Sequence, residues 1–439
     1  MNKSMPDGWS LFELKQIATP LDKYSFTGGP FGSNLKSEEY TERGVRIIQL
    51  QNIGDGEFKN KYKIYTSPEK ADELFSCNIF PGDIILSKMG DPVARAAIIP
   101  SFDSRYLMAS DGIRLAVDKN RFDAKFIHDS INATDFRTQA ELSSTGTTRK
   151  RIGLTELRQL SLSAPPLPEQ QKIATILSSV DKVIETTRAQ IDKLKDLKTG
   201  MMQELLTNGI GVDGVPHTEF KDSPVGRIPI GWHASVLGDL VTKVGSGITP
   251  KGGSSSYVEH GTPLIRSQNV HSDGLRLDKV SYISEIQHRK MANSQLKPHD
   301  VLLNITGASI GRCYYLSPEF GEGNVNQHVC IIRCNRNDIH PIFLTLFLNS
   351  EFGQRQIMSL QAGGNREGLN FQQVRAIKLP CPPMHEQEKI ALYISSNEKN
   401  IKTRSLRLSQ LMNLKKALMQ DLLTGKVRVA IDKKEPEAA

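Results

Sequence analysis

Two stretches of the chain carry a helical apolar pattern that the rest lacks. In the first, apolar side chains recur at Val180, Ile184, Ile191 and Leu194, with Thr187 on the same stripe; the phase then moves to Leu197, Met201 and Leu205. In the second, the stripe runs Ile401, Leu408, Leu411, Leu418 and Leu422, with polar Asn397 and Arg404 in line. Pro165, Pro166 and Pro168 end the extended chain before the first stretch, and Glu169 and Gln170 suit a first helical turn, where carboxylates favour the helix dipole. Residues 169–207 as one helix span about 58 Å at 1.5 Å per residue. So long a helix with a single apolar stripe needs a partner, and the chain offers one in its other copy.

Elsewhere the pattern is of short apolar runs between Gly, Pro and Asp. Val45-Arg46-Ile47-Ile48-Gln49-Leu50, Asp83-Ile84-Ile85-Leu86-Ser87 and Asp300-Val301-Leu302-Leu303-Asn304 read as strands bounded by turns. Lys125–Thr138 and Ile342–Gln356 read as helices. The expected fold is α+β with an irregular, loop-rich sheet.

These elements occur twice, 217 residues apart. Residues 165–207 and 382–424 align without a gap, identical at 20 of 43 positions, which is too many for a shared helical composition alone. The register holds upstream at Tyr40/Tyr257, Gly44/Gly261, Gln51-Asn52/Gln268-Asn269, Pro81/Pro298, Asp83/Asp300, Gly90/Gly307, Arg95/Arg312 and Gly146/Gly363. The two tryptophans, Trp9 and Trp232, stand at equivalent module entrances. The expected organisation is a first globular module over 1–163, a long helix over 164–208, a Gly/Pro-rich linker over 209–231, a second module over 232–380, a second long helix over 381–426 and a tail over 427–439, disordered from Lys433. Two similar units in contact tend towards a local two-fold axis. With that axis perpendicular to the helices, the fold is two repeated globular domains separated by an antiparallel coiled coil, with internal pseudo-two-fold symmetry. Such a chain suits a reader of two half-sites, because duplex DNA has pseudo-dyads of its own.

Composition narrows the class. The 439 residues carry 56 Lys+Arg against 48 Asp+Glu, a formal net charge of +8 that is compatible with nucleic acid. No apolar run reaches the ~18–20 residues of a membrane span and no signal-peptide pattern opens the chain, so the expected location is cytoplasmic, without a membrane partner. Five cysteines do not form a disulfide framework, and Cys330 and Cys334 lie in a run that reads as a buried strand rather than a metal site.

No catalytic constellation emerges. The double prolines, Ala164-Pro165-Pro166-Leu167 and Cys381-Pro382-Pro383-Met384, lack the polar and aromatic neighbours of an adenine-methyltransferase tetrad. There is no phosphate loop of the G-x-x-x-x-G-K-[ST] type and no zinc spacing among the ten histidines. Asp83…Lys88 has the look of a nuclease pattern, but its twin replaces the lysine by Ile305, so it reads as strand and turn. Gly28-Gly29-Pro30-Phe31-Gly32 and Gly245-Ser246-Gly247 are not followed by a helix and read as flexible loops.

Taken together, the half-repeats, the helix openings Pro165-Pro166-Leu167-Pro168-Glu169-Gln170 and Pro382-Pro383-Met384-His385-Glu386-Gln387, and the Gly-Trp module starts resemble the specificity (S) subunit of type I restriction-modification systems. So do Gly245-Ser246-Gly247-Ile248-Thr249-Pro250, Arg366-Glu367-Gly368-Leu369-Asn370 and the ending Leu422-Leu423-Thr424-Gly425-Lys426. The resemblance covers nearly the whole chain. It implies two target recognition domains, each reading one half of a bipartite double-stranded DNA sequence, with helices that set the spacing and dock two methyltransferase (M) subunits. It further implies restriction/translocase (R) subunits as partners, S-adenosylmethionine, ATP and Mg on those partners only, and no catalytic or metal site in this chain. A methylation-only complex without restriction, and a protein-binding coiled-coil scaffold, are the alternatives. The first copy has Gly146-Thr147-Thr148-Arg149-Lys150-Arg151 where the second has Gly364-Asn365-Arg366-Glu367-Gly368-Leu369-Asn370, so the two modules are expected to read different sequences.

Base edges are read by Arg, Lys, Asn, Gln, Ser and Thr, and phosphates mostly by Arg and Lys. Loops holding such residues nominate Asn34, Lys36, Lys88, Arg95, Thr147, Thr148, Arg149 and Lys150 in the first module. In the second they nominate Thr249, Lys251, Arg312, Asn326, Gln327, Asn365 and Arg366. The repeated Gln-Asn pairs, shared by both copies, are expected to hold backbone at a strand end.

Overall fold

The computed structural model describes residues 5–211, 214–250, 252–361 and 368–431. The tail from Lys433 and the candidates Lys251, Asn365 and Arg366 lie outside the described residues. The chain divides into two compact units, residues 1–188 with 406–439, and residues 189–405. Two long helices pass from one unit to the other, α1 (Leu167–Thr207) and α2 (Met384–Leu422).

In the first unit, strands β1 (Phe26–Gly28), β2 (Ile84–Ser87), β3 (Ala96–Ile98) and β4 (Gly112–Leu115) form an antiparallel sheet in the order β1-β4-β2-β3. In the second, β5 (Val241–Ser246), β6 (Val301–Asn304), β7 (Cys313–Tyr315) and β8 (Val329–Cys334) repeat that order as β5-β8-β6-β7. The central strands are buried along their whole length, which is why they read as continuous apolar runs rather than alternating ones. A second sheet packs with each: five strands including Val45–Ile48 in the first unit, three including Thr262–Ile265 in the second. Cys330 and Cys334 lie on β8, and burial pushes both thiols up to about 12.

Each helix predicted before the long ones is two. Lys125–Thr138 divides at extended Ala133 into Ala124–Asn132 and Thr134–Leu142, and Ile342–Gln356 divides at Ser350 into Pro341–Asn349 and Glu351–Gln361. The first break is held by Asn132, whose side chain donates to the Ala96 carbonyl (3.1 Å) and accepts from its amide (3.2 Å), tying the helix end to β3. Within the first of these helices, Asp129 is buried between Lys125 (2.6 Å) and His128 (2.9 Å). Burial alone would raise its carboxyl, but His128 and Lys125 outweigh burial and hold it below the usual aspartate range. A depressed folded-state pKa gives stability that is present above the unfolded value and lost as pH falls through the folded one. The first unit should therefore lose stability on acidification below about pH 4, and Asp129→Asn should flatten that loss. Thermal melts of both proteins between neutral and acid pH check this; parallel curves would sink it.

The long helices pair antiparallel inside each unit. In the second unit Lys198 Nζ meets Glu398 at 2.6 Å, and Gln190 pairs with Arg404; in the first, Lys415 Nζ meets Asp181 at 2.6 Å. Lys198/Lys415 and Asp181/Glu398 are themselves 217 apart, so the same ion pair occurs twice. These lysines also correct the expected phase shift. Leu197 is 53% exposed, and the stripe continues unbroken through Leu194, half-buried Lys198, Met201 and Leu205. The lysine stem lies along the seam while its ammonium reaches the partner carboxylate.

Each core is finished by the other copy's helix end. Trp9, Phe126, Ile173 and Leu177 cluster with Leu422 and Leu423 in the first unit. Trp232, Phe343, Ile390 and Ile394 cluster with Leu205 and Leu206 in the second. The repeated Glu-Gln at the helix openings does more than favour the dipole. Gln170 bonds the Pro165 carbonyl (2.8 Å) and the Asp123 amide (2.9 Å); Gln387 bonds the Pro382 carbonyl (2.9 Å) and the His340 amide (2.8 Å). Buried Glu169 is gripped through both oxygens by Arg428, at 2.7 and 2.8 Å. Buried Glu386 instead accepts from the Ile210 amide (2.7 Å) and Trp232 Nε1 (2.9 Å), and lies 3.0 Å from His217 Nε2. The Gly/Pro-rich segment thus carries a short hairpin (Phe220–Lys221 with Ile228–Pro229) and docks on the second core through Ile210, His217 and Trp232.

Candidate nucleic-acid interface

One end of each four-stranded sheet gathers four loops, and of the three backbone bonds that tie them together two recur at the 217-residue register, while a glycine amide makes the third in each copy. In the first module Gly29 donates to the Gly112 carbonyl (2.8 Å), Lys88 to the Asp111 carbonyl (2.8 Å) and Ile152 to the Lys88 carbonyl (2.9 Å). In the second, Gly247 donates to the Asn326 carbonyl (3.2 Å), Ile305 to the His328 carbonyl (3.0 Å) and Leu369 to the Ile305 carbonyl (2.8 Å). The glycines are there for close approach rather than flexibility. A Cβ on Gly29 would lie 1.9 Å from the Ala109 carbonyl oxygen, and one on Gly247 would lie 1.7 Å from that of Val325. Gly28, Gly245 and Ser246, expected in loops, close strands β1 and β5.

The loops are furnished differently. In the first module the cluster is cationic. Lys88 Nζ donates to the Ser110 carbonyl (3.1 Å), and burial holds this ammonium below the usual lysine range. Lys150 pairs with Glu141 and Arg151 with Asp111 (2.6 Å), while Thr147, Thr148 and Arg149 project from an exposed turn. Half-buried Arg95 opens β3 at the same end, its Nε without a protein partner. Lys88, Thr145, Arg151 and Glu156 line a cleft of about 420 Å³ here. Asn34 and Lys36 are exposed on the loop that follows Gly29.

The second cluster is built mainly from amide, hydroxyl and imidazole groups. Thr249 donates to Gln327; Gln327 Nε2 meets His328 Nε2 at 3.1 Å, and His328 Nδ1 meets Thr306 Oγ1 at 2.6 Å. Arg312 is exposed at the start of β7, the place Arg95 holds in the first module. Asn326 is buried, and its side chain accepts from the His328 amide (3.1 Å), so it shapes the turn that presents Gln327.

Sequence reasoning missed Thr306 and His328 here, and Ser110 and Arg151 in the first cluster. His328 adjoins nominated Gln327, and that adjacency is the one sequence signal for it. The shared Gln-Asn pairs divide. Asn52 bonds the Lys59 and Tyr62 carbonyls (3.0 and 2.9 Å) and Asn269 the Arg276 carbonyl (2.8 Å), as expected, whereas Gln51 and Gln268 are exposed. Asp83 and Asp300 are bound to Arg114 and Arg333, at 2.6 and 2.7 Å, which fits the reading of Asp83 as part of the fold.

A family model for the type I restriction modification DNA specificity domain matches residues 42–196 and 229–412, one match in each copy. The chain belongs to that family. It is similar, at 23% identity over 437 residues, to a putative type I restriction enzyme specificity subunit, MjaX, of Methanocaldococcus jannaschii, covering 97% of this chain and 95% of that one. It is 22% identical to the type I restriction enzyme EcoBI specificity subunit of Escherichia coli, covering 97% and 87%. Among solved structures it shares the fold of a type I restriction-modification S subunit from M. genitalium, with a TM-score of 0.60, 17% identity and coverage of 96% and 97%. A second, from work on complex assembly and conformational transition of the type I R-M system, gives a TM-score of 0.55 at 15% identity, covering 97% and 100%. As a type I specificity subunit, the chain has two recognition modules. The two loop clusters hold most of the described residues nominated for DNA contact, one set in each. Among the described residues no helix is long and apolar enough to cross a membrane.

Proposed function

We propose that each loop cluster reads one half of a bipartite double-stranded DNA target, the first module through Lys88, Arg95, Thr147, Thr148, Arg149 and Lys150 with Asn34 and Lys36, the second through Thr249, Thr306, Arg312, Gln327 and His328. One observation carries this: two loop clusters with the same backbone frame hold different hydrogen-bonding groups. A frame that is kept while its side chains change is what two readers of different sequences require. Ammonium and guanidinium groups favour guanine O6 and N7 and phosphate, whereas amide and hydroxyl groups also suit adenine and thymine edges. The paired helices hold the two readers at a set separation and offer docking surface to two methyltransferase subunits, which restriction subunits join. The chain itself is non-catalytic in this reading and works in the cytoplasm; S-adenosylmethionine, ATP and Mg belong to the partner subunits.

Exchanging residues 232–380 for the corresponding module of another family member tests the reading. Single-molecule methylome sequencing of cells that carry the chimera and its methyltransferase subunit should show one half of the bipartite methyladenine motif changed and the other kept. Change in both halves, or in neither, would refute modular reading.

A further inference from the structure

Among the described residues, two pairs of strongly exposed large apolar side chains recur at the 217-residue register. Leu197 and Leu414 lie on the long helices; Phe31 and Ile248 lie on the loops that follow Gly29 and Gly247. Phe31 is 82% exposed and Ile248 62%, so neither contributes to its module's core. Nor are they on slack chain. Buried Pro30 and Leu35 flank the first tip, and buried Gly247 and Pro250 flank the second. Each tip is therefore held out by its neighbours at the end of the sheet where the polar reading groups gather, with Asn34 and Lys36 on the same loop as Phe31 and Thr249 next to Ile248. An apolar side chain kept in water among such groups calls for an apolar feature on the ligand. In the major groove that feature is the thymine 5-methyl group, since the other base edges present donors and acceptors.

We propose that Phe31 and Ile248 are specificity-determining residues, each packing against a thymine methyl in the half-site that its own module reads. The proposal rests on the loop clusters being the DNA readers. It adds that each half-site contains a thymine recognised by its methyl group.

The test uses the complete complex with its methyltransferase subunits and duplexes carrying the bipartite sequence, with thymines replaced singly by deoxyuridine. In the wild-type complex one replacement in each half should weaken binding by about fourfold, the effect of losing one buried methyl. Phe31→Ser should abolish that sensitivity in the half assigned to the first module and leave it intact in the other; Ile248→Ser should do the converse. Both side chains are exposed, so the melting temperatures of the variants should match wild type. The proposal is overturned if no thymine in the wild-type complex is methyl-sensitive, or if both variants keep the full pattern. Failure of the loop-cluster reading would look different: module exchange would leave both half-sites unchanged, whatever the deoxyuridine pattern.

Discussion

Gly29→Ala should abolish recognition of one half-site and Gly247→Ala that of the other, each leaving its module folded. A methyl group at either position would stand less than 2 Å from a backbone carbonyl oxygen, Ala109 in one copy and Val325 in the other. Neither carbonyl can turn aside freely, because that of Ala109 accepts from the Gly112 amide (3.0 Å) and the peptide unit carrying that of Val325 is held by the bond from the Asn326 amide to the Ile265 carbonyl (3.1 Å). The loop must therefore move by more than 1 Å, carrying Asn34 and Lys36, or Thr249, with it. Hydrogen bonds to base edges weaken steeply with displacements of that size. Loss of one or two base contacts, each worth about 1–3 kcal/mol, amounts to roughly a hundredfold in affinity for that half. The cost to the fold should be about 1–3 kcal/mol, as for other overpacked sites. Binding to duplexes with one half-site scrambled separates the effects. A Gly247→Ala protein that still discriminates the second half-site would show that this loop does not read DNA.

The largest effect on stability is expected at Glu386. Its carboxylate is buried and takes hydrogen bonds from the Ile210 amide and Trp232 Nε1, with His217 beside it. Glu386→Ala strands two buried donors at once, at about 1–3 kcal/mol for each group left unsatisfied. A loss of about 3–5 kcal/mol in the second unit follows, with Glu386→Gln between, because an amide offers only one acceptor oxygen. Glu169→Ala should cost less. Its partner Arg428 is 46% exposed at the side chain and turns to water when the carboxylate is gone, and Trp9 Nε1 has no protein partner in any case. Calorimetry of the three variants decides it; equal losses at Glu169 and Glu386 would contradict the asymmetry.

The repeat made most of this architecture legible. A register of 217 residues exposed both long helices, both module starts and the loops that carry most of the nominated residues. It also located what is shared for structural reasons, such as Asn52/Asn269, whose amides bond backbone carbonyls. The misses have physical causes. Lys198 and Lys415 sit on an apolar stripe, and an apolar-only reading skipped them for Leu197. The breaks at Ala133 and Ser350 come from tertiary hydrogen bonds such as that of Asn132 to β3, which no periodicity encodes. Gly29 and Gly247 looked like loop flexibility, because close approach depends on a strand far away in sequence. Asn326 had the right chemistry for base reading, yet its side chain is spent on the turn.

The cross-completed cores have a consequence for how the chain is made. Leu422 and Leu423, which close the apolar cluster around Trp9, leave the ribosome only after the whole second module has been synthesised. The second module meets no such delay, since Leu205 and Leu206 precede it. The module translated first is therefore the one whose apolar cluster closes later, part of its surface staying open until the second long helix has been made.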